Sequence, residues 1–140
     1  MCNVTRFSVS VEPALLDAFD RRTQRAGYKN RSQAIGDVLR AYLVDAQWED
    51  GATPVVGTVT IVYDHHSRDV ARRLTELQHG HDAAIACTTH VHLTHSDCLE
   101  VIVVRGTADE VQAFADQIIS SPGVKHGRLV CTAATEGLHE

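Results

Sequence analysis

The chain has no uninterrupted apolar run near the roughly 20 residues needed to cross a bilayer, and its first residues lack the basic-then-apolar pattern of a secretory leader. A cytoplasmic protein with no membrane partner is therefore expected. Its four cysteines, Cys2, Cys87, Cys98 and Cys131, are scattered and show none of the short paired spacings of a structural zinc site or a disulfide scaffold. In a reducing compartment they are thiols, and Cys98 is free to ligate a metal. Cys98 with a nearby histidine has the elements of a nucleophile and base. No glycine-rich oxyanion loop or paired acid–base constellation completes them, so no enzyme and no catalytic residue are expected.

The 140 residues suffice for one ordinary domain or two small ones. The net charge of −5 is unevenly spread, with seven Lys/Arg against five Asp/Glu in residues 1–46 and six against thirteen in the remainder. A slightly basic segment joined to an acidic body points to the amino-terminal part as the one that approaches a polyanion.

Arg6-Phe7-Ser8-Val9-Ser10-Val11 alternates, which predicts a short strand with Phe7, Val9 and Val11 on one face and Arg6, Ser8 and Ser10 on the other. Pro13 suits a first helical turn, Leu15, Leu16 and Phe19 supply an apolar stripe, and Gly27 provides the stop. Asn30-Arg31-Ser32-Gln33 has the form of a capping box. Ile35, Val38, Leu39, Tyr42 and Leu43 then follow at helical spacing to about Gln47. A strand and two helices bury little apolar surface alone, and two copies pairing their strands would solve this. Such a ribbon would present Arg6, Ser8 and Ser10 from both copies to a DNA major groove. The competing reading is an amphipathic edge strand facing water.

Trp48 to Pro54 breaks both periodicities and reads as a linker. Beyond it the pattern predicts strand at Val55–Tyr63 and helix at Arg68–Leu77 with Val70, Ala71 and Leu74 inward. Strands at Ala83–Leu93 and Cys98–Val104 follow, then a helix at Ala108–Ile119 with Val111, Phe114, Ala115 and Ile118 inward, and a strand at Val124–Thr132. The order βαββαβ describes a ferredoxin-like sandwich. The fold class expected is thus α+β, with a βαα domain at 1–47, a linker at 48–54, a second domain at 55–134 and a tail at 135–140.

The densest chemistry lies at His90-Val91-His92-Leu93-Thr94-His95-Ser96-Asp97-Cys98. On a strand, His90 and His92 share a face with Cα atoms roughly 7 Å apart, and a turn over 94–97 returns Cys98 on the neighbouring strand. Two imidazoles and a thiolate can then converge on one ion. His79-Gly80-His81 upstream offers further imidazoles. Glu100 shares the face of Cys98 and reads either as a carboxylate that orients a ligand imidazole or as a solvated strand residue. His65-His66 reads either as a weak surface site or as exposed histidines.

Gly27-Tyr28-Lys29-Asn30-Arg31-Ser32, Gln78-His79, His90-Val91-His92, Asp97-Cys98-Leu99-Glu100 and Gly123-Val124-Lys125-His126-Gly127 together give the chain its family likeness. With these motifs the chain resembles the nickel-responsive ribbon-helix-helix transcriptional regulators, which fuse a DNA-binding ribbon-helix-helix domain to an ACT-like regulatory domain. The resemblance implies Ni(II), one per subunit, held by His90, His92 and Cys98 of one subunit and His79 of another. It implies a homotetramer, a dimer of dimers, on a palindromic double-stranded operator, with Arg6, Ser8 and Ser10 reading bases and Arg68 approaching DNA. Repression of nickel uptake genes is the implied outcome. Gln33 and Asp37 stand where the family often has an acidic pair for an accessory cation, and Ser8 and Ser10 where threonine is frequent. Imidazole and thiolate ligands also suit copper or zinc, and an ACT-like domain could instead sense a small molecule.

Overall fold

The computed structural model describes residues 3–80 and 84–134. His81, the start of the strand predicted at Ala83, and the tail 135–140 with His139 lie outside the described residues. The chain divides into two compact units between Leu39 and Arg40.

The first unit contains helix α1 (Pro13–Arg25), with Pro13 in its opening turn and Arg22 and Arg25 in its last turn, where their charge suits the helix dipole. Gly27 follows at φ 83°, the left-handed conformation that closes a helix at little cost for glycine. Helix α2 (Arg31–Glu49) starts as its capping pattern predicts: the Asn30 Oδ1 accepts the Gln33 backbone N–H at 2.9 Å. Arg31 reaches back to α1 with a two-pronged contact to Asp20, at 2.8 and 2.6 Å. The strand predicted over Arg6–Val11 is not formed among the described residues, and a ladder needs a second strand to supply its hydrogen bonds. The apolar stripe of α2 is present but uncovered: Val38, Leu39, Tyr42 and Leu43 are exposed, as are Phe7, Val9 and Val11.

Helix α2 runs past Gln47, so Trp48 and Glu49 are helical rather than part of a linker, and the break between α2 and the next strand narrows to residues 50–53. The reason is tertiary. Trp48 packs on the core of the second unit and its indole N–H donates to the Thr132 carbonyl at 3.0 Å.

The second unit comprises β1 (Pro54–Asp64), α3 (Arg68–Gly80), β2 (Ala84–His92), β3 (Asp97–Thr107), α4 (Ala108–Ile119) and β4 (Val124–Thr132). The strands form one antiparallel sheet in the order β2-β3-β1-β4, the arrangement expected of βαββαβ. One face is covered by helices. Val59, Ile61 and Tyr63 of β1 and Cys98, Ile102 and Val104 of β3 meet Val111, Phe114, Ala115 and Ile118 of α4, the stripe its periodicity predicts. A capping box at Thr107 and Glu110 starts α4. On α3, Val70 and Leu74 are buried as expected, but Ala71 is exposed and Leu77 packs in its place. Positions 70, 74 and 77 lie on a narrower stripe, and the small Ala71 gains little from burial. Among the described residues no helix is long and apolar enough to cross a membrane.

Candidate metal centre

His90 and His92 stand on the face of Glu100 and Cys98 because the hairpin pairs them directly, and a β-bulge separates this stretch from the start of β2. Ile85 pairs with Val104, but the register shifts between Ile85 and Cys87, and beyond it Thr88 pairs with Ile102, His90 with Glu100 and His92 with Cys98. One extra residue reverses the alternation. Ile85 on one side of the bulge and His90 on the other thereby lie on the same, helix-covered face.

The β2–β3 hairpin is closed by Thr94 and Asp97. Thr94 Oγ1 accepts the backbone N–H groups of Ser96 and Asp97 at 3.3 and 3.0 Å, and the Asp97 carbonyl accepts those of Leu93 and Thr94 at 2.9 and 3.2 Å. Lys125 on β4 anchors the Asp97 carboxylate at 2.6 Å.

The closed turn brings the Cys98 Sγ to 3.2 Å from His92 Nδ1. The sulfur is fully buried, and the rings of His90 and His92 lie 5.2 Å apart between centroids. Burial pushes the Cys98 thiol above its ordinary pKa, and the negative charges of Asp97, Glu100 and Asp64 push it further. A cation at this position removes that cost, because it neutralises the thiolate and the surrounding carboxylates together. The donor set therefore fits a borderline-soft dication.

Glu100 is not a solvated strand carboxylate. It is buried and accepts a hydrogen bond from the Tyr63 hydroxyl at 3.1 Å, while the same hydroxyl lies 3.4 Å from His90 Nδ1. Burial first, and then Glu100, raise the Tyr63 phenol, so it remains a protonated donor to the carboxylate. With that proton committed to Glu100, the phenolic oxygen can accept from a protonated His90 Nδ1, and the lone pair of His90 then sits on Nε2.

The grouping within one chain differs from the expected set. His65, His92 and Cys98 place their ligand atoms within 4.8 Å of one another, and neither His90 nor His79 belongs to a cluster of three or more such residues among those described. His79 is exposed at the end of α3 and is not grouped with its own chain's thiol. Pattern missed His65 as a partner of the thiol. Its place comes from a turn in which Asp64 accepts the His66 backbone N–H at 2.9 Å, and from docking of that turn on the hairpin through His65 N–H to the Ser96 carbonyl at 2.9 Å.

Residues 56–132 match the family described as NikR C terminal nickel binding domain, and residues 5–46 match the ribbon-helix-helix protein, copG family. The chain belongs to the nickel-responsive regulator family. Relatives whose names describe nickel-responsive regulators include one from Geobacter sulfurreducens, 51% identical over 99% of this chain and 100% of the relative. Another, from Geobacter metallireducens, is 50% identical over the same shares. One from Thermococcus onnurineus is 48% identical over 92% of this chain and 94% of the relative.

The remaining predicted residues lie apart from the metal ligands along the chain. Arg6, Ser8 and Ser10 are exposed in the unpaired segment before α1, and Arg68 is exposed as the first residue of α3. Of the pair at the family's accessory cation position, Gln33 is neutral and Asp37 accepts a hydrogen bond from the Tyr28 hydroxyl at 2.7 Å. That carboxylate already has a protein partner.

Proposed function

We propose that this chain is a nickel-responsive, DNA-binding transcription regulator in which the metal centre sets the affinity of the amino-terminal unit for an operator. The register that seats His92 against Cys98 and His90 against Glu100 carries this reading. His90, His92 and Cys98 would hold one Ni(II) per subunit, and His79 of a second copy would complete the four ligands. The ion supplies a fixed set of bonding directions that two copies satisfy jointly. Tyr63 and Glu100 orient His90, and the Thr94–Asp97 turn holds Cys98 beside His92.

The oligomer follows from surfaces the single chain leaves uncovered. Phe7, Val9 and Val11 are exposed, as are Val38 and Leu39 on α2, and Val91 and Val130 are exposed on the sheet face away from the helices. Apolar surface of this kind favours pairing. Paired amino-terminal segments would form the ribbon that brings Arg6, Ser8 and Ser10 to base edges, with Arg68 approaching the phosphate backbone. A dimer of dimers joined through the regulatory sheets would address a palindromic operator in the cytoplasm and repress nickel uptake genes. By linkage, operator DNA tightens nickel binding by the same factor that nickel tightens operator binding.

The test is selection of a duplex from a random pool in the presence of Ni(II), followed by titration of that duplex with metal-free and nickel-loaded protein. Nickel-dependent binding should disappear in Cys98→Ala and in His79→Ala. Arg6→Ala should keep nickel binding and lose the duplex. Equal duplex affinity with and without nickel would refute the proposal.

A further inference from the structure

We propose that Lys125 is a positioning residue of the nickel centre: it reaches from β4 across the end of the sheet and fixes the point on β3 from which Cys98 emerges. This rests on the function proposed above, in which Cys98 is a nickel ligand. Val62 of β1 pairs with His126 of β4 but Tyr63 pairs with Val124, so Lys125 is the extra residue of a β-bulge. A bulge releases that residue from the ladder and re-aims its side chain. Here the side chain passes beyond β1, the neighbour of β4, to the next strand, where Nζ meets the Asp97 Oδ1 at 2.6 Å.

Two features of Asp97 set this contact apart from an ordinary surface ion pair. Its backbone is already committed to the hairpin: its N–H donates to Thr94 Oγ1 at 3.0 Å, and its carbonyl accepts from Leu93 and Thr94 at 2.9 and 3.2 Å. The carboxylate is the remaining handle on this residue, and Cys98 is the next along the chain. Asp97 also stands directly opposite Asp64 in the β1–β3 register. Like charges so placed repel, and they do so where Cys98 begins. The hydrogen bond to Asp97 holds the Lys125 ammonium above the usual lysine range, and the charges of Asp97 and Asp64 add to that, so one ammonium serves both carboxylates.

Position and charge predict opposite signs for the loss of Lys125. Loading replaces a thiol proton by a dication, so the centre gains positive charge and a nearby cation opposes it. Acting through charge alone, Lys125 would therefore weaken nickel, and its removal would tighten the site. Acting through Asp97, it keeps the Cys98 Sγ at its 3.2 Å from His92 Nδ1, and its removal loosens the site. The Lys125 side chain is 53% exposed, so water and salt screen its charge and the pair adds little to the stability of the metal-free protein. Loss of a group that orients a ligand typically costs a metal site 10–100-fold in affinity, so positioning outweighs charge.

The experiment titrates the full chain with Ni(II), follows thiolate-to-nickel absorption, and times release of the metal into excess chelator. Lys125→Met should weaken nickel about tenfold and speed its release, while Lys125→Arg, which keeps a cation able to reach Asp97, should stay within about threefold of wild type. Asp97→Asn should weaken nickel as well, and the double variant should lose no more than the larger single loss, because both changes break one contact. Metal-free Lys125→Met should melt less than about 4 °C below wild type. If it melts lower, Lys125→Gln, whose shorter, uncharged side chain loses the ion pair but stays polar, should show the same weakening. Nickel affinity unchanged or raised in both neutral variants, or lowered as much in Lys125→Arg, would overturn the assignment. Failure of the underlying function looks different: wild-type protein would show no thiolate-to-nickel absorption, and Cys98→Ala would not alter nickel binding.

Discussion

Replacing Tyr63 with phenylalanine keeps the ring that packs in the core and removes only the hydroxyl that donates to Glu100 at 3.1 Å. Tyr63 is 4% exposed and Glu100 8%, so water has little room to replace the lost donor. Leaving a buried acceptor unpaired costs about 1–3 kcal/mol, and a carboxylate belongs toward the top of that range. For a chain of this length each kcal/mol lowers the melting temperature by about 3–4 °C. The assay is denaturant unfolding of metal-free protein at fixed concentration, for Tyr63→Phe, Glu100→Gln and the double variant. Groups in contact should show a coupling of at least about 0.5 kcal/mol. Nickel affinity should fall about 10–100-fold in Tyr63→Phe, because His90 loses the group that sets its orientation. A destabilisation below about 0.5 kcal/mol, additive with Glu100→Gln, would refute the chain of hydrogen bonds from Glu100 to His90.

Gly123 sits at φ 94°, and a methyl group there would meet the Val70 side chain. Gly123→Ala should therefore destabilise the protein by about 1–3 kcal/mol in chemical denaturation, and a loss under about 0.5 kcal/mol would show that the turn relaxes freely. The raised Cys98 thiol has a pH signature: the native state binds that proton more tightly than the unfolded chain, so the stability it contributes is full below the ordinary thiol pKa of about 8.5 and fades as pH rises through the higher native value. Metal-free wild type should lose stability relative to Cys98→Ser across that alkaline range, and nickel binding at neutral pH should release a proton measurable by calorimetry in buffers of different ionisation enthalpy. Phe7 is 64% exposed in the single chain. If pairing covers it, Phe7→Ser should cost each copy about 1.5–3 kcal/mol and weaken operator binding without altering nickel affinity; unchanged operator binding would remove Phe7 from the interface.

Elements written into local spacing were legible residue by residue. The α4 stripe at Val111, Phe114, Ala115 and Ile118 and the Asn30 cap of α2 each depend on neighbours within a turn or two of helix. The pairing of His92 with Cys98 was legible for the same reason, since a tight hairpin makes six residues of sequence into one step of space. Trp48 escaped that reading because an indole among polar residues looks like a linker until Thr132, far along the chain, supplies its acceptor. The amino-terminal alternation describes a strand that finds no partner among the described residues.

The bulge after Ile85, which puts Ile85 and His90 on the same face, left no mark that pattern alone could read. Tyr63 entered only as the last residue of the strand expected at Val55–Tyr63, and it joins Glu100 to His90. His65 reached the thiol because a turn after β1 docks on the hairpin through Ser96, 31 positions away. Ligand types and their nearest spacing are properties of the chain. Which imidazole meets the sulfur is a property of the sheet, because register and turn docking are set by contacts between segments that sequence order keeps apart.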